Sequence, residues 1–191
     1  LAIAWEEKGL DLMPRFGAWA LAKVRQKARM GVLYMAFGNR DFCRALLRSM
    51  GSPGELPLGT GRLRFIRTRA YEQFVDAETL AAEINYPSVE QSNTGVYFGM
   101  RAYLKGYMRL QSGTSPELEI GRFLTDESPY ANIASVLGAM EYVGRDGIPT
   151  ALGIAQRLVR KQGSRWTYTL EYLDRHMAGT VLRAEPQAQV D

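Results

Sequence analysis

An ammonium buried among apolar residues needs a partner, because an unpaired charge away from water is costly. Lys105 follows Ala102, Tyr103 and Leu104 in an apolar run, and Lys161 is the only other lysine in the second half of the chain. Shortly downstream, Ser115-Pro116-Glu117 opens a helix and sets two acids, Glu117 and Glu119, in its first turn. Either can pair with Lys105. A strand lysine held by a helix glutamate is an anion-binding device, able to reach the α- and β-phosphates of a nucleotide. Upstream, Gln91-Ser92-Asn93-Thr94 offers hydroxyl and amide donors that can meet anionic oxygens, or forms a plain polar hairpin turn. Lys105 can equally be an edge-strand lysine extending to water. The two glutamates can simply be favourable charges near a helix N-terminus.

Other chemistries find less support. His176 is the only histidine and falls near a helix C-terminus, where a positive charge is favourable, so it is not read as catalytic. The single cysteine, Cys43, excludes an internal disulfide and a cysteine-rich zinc site; among Phe42, Ala45, Leu46 and Leu47 it reads as a buried structural thiol. Trp166 and Tyr168 read as core aromatics ahead of sugar-binding ones. A reducing, cytoplasmic setting fits this cysteine usage.

The elements that must position Lys105 follow from periodicity and punctuation. Leu1–Trp5 reads as a buried strand whose beginning is missing, so the chain is expected to be part of a longer protein. The spacing of Trp19, Ala22, Lys23 and Val24 predicts a helix over 14–29, with Gly31 just beyond it, followed by a short apolar segment at 32–35. Asn39 or Asp41 can cap a helix running to about Met50. Residues 51–61 are turn-rich, and 62–69 alternate into a strand with one wet face. Residues 77–84 suggest a short helix or turn. A hairpin is expected from 96–98 and 101–107 around Gly99-Met100. After the helix capped by Ser115 with Pro116 at its first position come strands at 136–143 and 150–159, joined by Gly144-Arg145-Asp146-Gly147. Ser164 can cap a last helix with Trp166, Leu170 and Leu173 inward, and EPQAQVD reads as a tail.

Composition bounds the partners. The 191 residues are 46% hydrophobic and 23% charged, as in soluble globular proteins. No apolar run approaches the roughly 18 residues of a membrane span. The net charge is +4 and the pI about 9.3. Two stretches are rich in basic residues: Arg15, Lys23, Arg25, Lys27, Arg29 and Arg40, then Arg62, Arg64, Arg67 and Arg69. Neither set is interleaved with exposed aromatics, so solvated faces are favoured and no nucleic-acid or membrane partner is expected.

Strand, turn, lysine-bearing strand, acidic helix, two strands, connector, helix is the order of a protein-kinase-like small lobe. The local strings are more specific. EQSNTG (90–95), YLK (103–105), SPELEIGRFLTD (115–126), LGAMEY (137–142), QRLV (156–159) and QGSRWTYTLEYLDR (162–175) resemble maltokinase, including the maltokinase domain often fused to trehalose synthase. GVLYMAFGNRDFCRALL (31–47) and GRLRFIRT (61–68) resemble that family's N-terminal cap. The chain departs from the family pattern at Gly95, at Gly106-Tyr107 and in the loop KQGSRW.

The resemblance implies an α+β fold: an antiparallel-sheet cap subdomain with helices over 1–85, an aminoglycoside-phosphotransferase-like N-lobe over 86–160, and hinge, helix and tail over 161–191, with the C-lobe absent. It implies ATP-dependent transfer to maltose, giving maltose 1-phosphate, in trehalose and α-glucan metabolism. Gln91, Ser92, Asn93 and Thr94 match the phosphate loop and Lys105 the phosphate-binding lysine. Glu119 is the first choice as its partner and Glu117 the second. Gln156, Arg157 and Val159 match the hinge, where backbone groups of Arg157 and Val159 would read adenine. The catalytic Asp and the Mg²⁺ ligands of such enzymes are expected in the missing C-lobe, so no catalytic or metal-binding residue is assigned here and the 191 residues alone are expected to be inactive. The alternative is a non-catalytic interaction module of a trehalose synthase/maltokinase fusion, with the basic stretch 15–29 as contact surface.

Overall fold

The helix expected over 14–29 is instead a short helix followed by a β-hairpin. The computed structural model describes residues 1–6, 12–87, 93–159 and 165–184. In it, helix α1 (Met13–Phe16) gives way to strands β2 (Ala20–Gln26) and β3 (Arg29–Tyr34). Their two-residue turn, Lys27-Ala28, holds Lys27 at φ 56°, and Arg25 Nε donates to the Lys27 carbonyl at 2.8 Å. Lysine and alanine are not residues that announce a tight turn. β1 (Ala2–Trp5) pairs with β3, giving an antiparallel sheet in the order β1-β3-β2. Gly31 belongs to β3, where a side chain would collide with Trp5 and the Ala4 carbonyl. Leu12, Val32 and Tyr34 form the core beneath this sheet.

From Asn39 onward the sequence expectations hold more closely. Asn39 caps α2 (Arg40–Met50), its Oδ1 accepting from the amides of Asp41 at 2.9 Å and Phe42 at 3.1 Å. The turn-rich stretch contains a strand, β4 (Gly54–Leu58), in a hairpin with β5 (Gly61–Arg67). Two short helices, α3 (Arg69–Phe74) and α4 (Ala77–Ala81), lead to β6 (Ile84–Asn85). Then come β7 (Thr94–Phe98), β8 (Ala102–Gly106), α5 (Pro116–Asp126), β9 (Val136–Val143) and β10 (Pro149–Arg157). The β7–β8 turn needs Gly99 at φ 52°.

These strands make one antiparallel sheet in the order β4-β5-β9-β10-β8-β7-β6, so the fold is α+β. The boundary expected at 85/86 runs between two hydrogen-bonded strands of this sheet, because β5 pairs with β9 and β6 with β7. One face packs Cys43, Leu47 and Met50 of α2 and Tyr71 of α3 against Phe65, Val96, Phe98, Leu104 and Ala155. The other packs Leu118 of α5 against Ile66, Val136, Ala139 and Ile154. At roughly 1.5–3 kcal/mol per buried large aliphatic or aromatic side chain, these two layers dominate the stability.

Residues Leu1–Leu158 form one compact unit and Val159–Asp191 another. In the second, α6 spans Arg165–Ala184. Trp166, Leu170 and Leu173, expected to face inward, are all exposed. Ser164 and the tail 185–191 lie outside the described residues. Among the described residues no helix is long and apolar enough to cross a membrane.

Candidate nucleotide-binding site

Strand alternation puts Tyr103, Lys105 and Tyr107 on the face of the sheet that carries α5. Lys105 extends towards the start of α5 and donates to both carboxylate oxygens of Glu117, at 2.9 and 2.7 Å. The side chains are 20% and 39% exposed, so solvent screens the pair. It contributes at most about 1 kcal/mol to stability, and its value lies in where it holds the ammonium. Two of the three Lys105 N–H donors are spent on Glu117, leaving one for another acceptor.

Glu119, the first choice from the sequence, is not the partner. Leu118 is 4% exposed and points straight at the sheet, which fixes the rotation of α5 about its axis. Its neighbours therefore fall about 100° to either side. Glu117 lands on the β8 side. Glu119 lands on the β5–β9 side, where it lines a cavity of about 390 Å³ with Arg64, Arg122 and Glu141. Ser115 does occupy the N-cap position, with Pro116 following, but its side chain makes no capping hydrogen bond.

Tyr107 completes the cluster; in the sequence it is marked only by its spacing of two from Lys105 and as part of the Gly106-Tyr107 departure from the family pattern. Its hydroxyl donates to Glu117 Oε2 at 2.9 Å, and Lys105 Nζ lies 5.0 Å from its ring centroid. Burial, then the hydrogen bond to the Glu117 carboxylate and the charge of that group, push the phenol well above its ordinary value; the Ser115 side chain draws it back in part. Tyr107 is therefore a neutral donor at all ordinary pH. Tyr103 is also raised, by burial first, then by Tyr97 and the Glu117 charge. Its hydroxyl sits over Gly95, where an added Cβ would come within 2.2 Å of it.

The remaining expected site residues are placed less uniformly. Gln91 and Ser92 lie outside the described residues. Asn93 directly precedes β7. Thr94 stands opposite Gly106, and its methyl group is among the atoms an added Cβ at Gly106 would meet, with the Phe37 ring. That places the Thr94 side chain on the α2 face, opposite the face that carries Lys105. The hydroxyl is buried without a hydrogen-bond partner among the described residues. Gln156 pairs with Tyr103 and shares the Lys105 face. The Arg157 amide, expected to be available to adenine, donates instead to the Ser135 carbonyl at 2.8 Å, and its guanidinium lies 4.5 Å from the Phe74 ring centroid. Val159 is exposed and begins the second unit.

The second basic set is engaged within the fold. Arg62 pairs with Glu55 at 2.9 Å, Arg64 with Glu141 at 2.6 Å and Arg67 with Glu72 at 2.9 Å. The Arg69 guanidinium donates to the carbonyls of Thr125 and Ser128. Cys43 is fully buried, and its thiol is pushed up to about 12, chiefly by burial. Among the described residues no group of three or more His, Cys, Asp or Glu side chains could hold a metal ion. No protein-family model matches this chain.

Proposed function

We propose that this chain is the cap and ATP-binding lobe of an ATP-dependent sugar kinase of the maltokinase type, whose whole form converts maltose to maltose 1-phosphate. The observation that carries this reading is the bidentate Lys105–Glu117 pair. It lies on a strand inside an antiparallel sheet, directly beside β7, which Asn93 precedes. A lysine so held meets nucleotide phosphates as a fixed positive charge, and its remaining N–H is the donor for a phosphate oxygen.

For ATP, the residues at Lys105 fit: a paired ammonium, a neutral phenol beside it and an exposed approach. Mg²⁺, when bound with ATP, would supply positive charge that offsets the phosphates, but the described residues supply no ligand cluster for it. On this reading the metal ligands and the Asp that orients the sugar hydroxyl lie in a lobe outside residues 1–191. The 191 residues then bind ATP without transferring its phosphate. A cytoplasmic setting, where ATP is abundant and a lone buried thiol stays reduced, accompanies it.

Titration of the 191-residue chain with ATP, beside Lys105→Ala, tests the reading. Saturable binding weakened about tenfold or more by the substitution is expected, the loss of one charge-assisted contact. A folded wild-type chain showing no saturable binding at millimolar ATP would sink it.

A second reading, a non-catalytic docking module for a trehalose synthase domain, draws on the cap sheet. That sheet exposes Leu1, Ile3, Leu21 and Met30 beside basic β2 and β3 residues. In the full-length protein, Lys105→Ala should abolish turnover and leave assembly intact if the kinase reading holds.

A further inference from the structure

Glu117 has a flexible side chain, 39% exposed, at the first turn of a helix; the rotation of α5 turns it to the β8 side but does not by itself fix its carboxylate. Lys105 is longer still. Two flexible charged chains meeting at a half-wet site gain little from each other and lose rotamer freedom in doing so. What distinguishes this pair is a third group that is rigid. The Tyr107 ring packs against the core formed by Leu118, Val136, Ala139 and Ile154. Its amide donates at 3.0 Å to the carbonyl of Leu152, the extra residue of a bulge between Ala151 and Gly153 in β10. Backbone and ring are thus both anchored, and the hydroxyl projects from a fixed point onto Glu117 Oε2, the oxygen that lies 2.7 Å from Lys105.

We infer that Tyr107 is a positioning residue of the nucleotide site: its hydroxyl fixes the Glu117 carboxylate, which in turn aims the Lys105 ammonium at a phosphate oxygen. This rests on the nucleotide reading above. Locking a carboxylate with a fixed donor removes the ordering cost that ligand binding would otherwise bear.

The test uses the 191-residue chain as wild type, Tyr107→Phe, Glu117→Ala and the double variant. Phenylalanine keeps the ring in its packing, so the circular dichroism spectrum should be unchanged. Two readouts follow: hydrogen exchange of the Lys105 ammonium by NMR without nucleotide, and ATP affinity. Tyr107→Phe should speed ammonium exchange and weaken ATP binding about threefold to tenfold, as expected for losing one hydrogen bond to a charged group at a half-exposed site. In the Glu117→Ala background the same substitution should have no further effect on either readout. Unchanged exchange and affinity in Tyr107→Phe would overturn the inference, and so would a penalty that persists undiminished without Glu117. If the wild-type chain binds no ATP, the nucleotide reading fails, while the exchange rate still decides whether Tyr107 holds the pair.

Discussion

Replacing Arg64 by methionine strands a buried carboxylate. Glu141 on β9 is 5% exposed, and Arg64, directly opposite on β5, meets its Oε2 through Nε at 3.1 Å and Nη2 at 2.6 Å. Removing one partner of a buried pair costs about 3–5 kcal/mol. Arg64 is 39% exposed, so water can reach part of the vacated space, and the low end, about 3 kcal/mol, is expected here. With a urea dependence of about 2 kcal/mol per molar, the unfolding midpoint should fall by about 1.5 M. The other acids lining the same cavity, Glu119, Asp126 and Glu127, give the stranded charge no relief, whereas Arg122 offers some. The double variant Arg64→Met, Glu141→Leu removes both charges and should recover to within about 1 kcal/mol of wild type. Urea denaturation of wild type, Arg64→Met, Glu141→Leu and the double variant, followed by far-ultraviolet circular dichroism, gives the cycle. A loss below about 1 kcal/mol in Arg64→Met, or a double variant less stable than the single, would refute the reasoning.

Two further outcomes are expected. Burial raises the Cys43 thiol from 9.0 to about 12, which favours the neutral form in the fold. That contribution is complete below pH 9 and is lost as pH rises towards 12. Between about pH 8 and 10.5 wild type should lose about 2 kcal/mol more than Cys43→Ala does, measured by denaturation at both pH values; equal losses would count against the thiol. Separately, Glu117→Ala should weaken ATP binding about tenfold and Glu119→Ala less than about twofold by calorimetric titration. Equal effects would show that the rotation of α5 set by Leu118 does not decide which acid serves Lys105.

What could be read in the chain directly was local. Asn39 before an apolar helix, the Gly99 turn between two apolar runs, and Ser115-Pro116 ahead of two acids each act through neighbours in sequence. Accordingly α2, the β7–β8 hairpin and the start of α5 stand where expected. Lys105 stood out for the same reason, as a charge inside an apolar strand. The hairpin β2–β3 went unseen because Lys27-Ala28 lacks turn chemistry and because a 3.6-residue pattern fits a segment whose second strand also pairs with distant β1. One sheet runs across the expected 85/86 boundary because β5 finds β9 across more than seventy residues, a hydrogen-bonding choice no local window contains. The site divides in the same way. That an acid near residue 117 would meet Lys105 followed from charge and spacing. Which acid it is depends on Leu118 turning inward, and the role of Tyr107 depends on a β-bulge in another strand. Both are decided by packing and pairing between distant segments, which only the tertiary structure brings together.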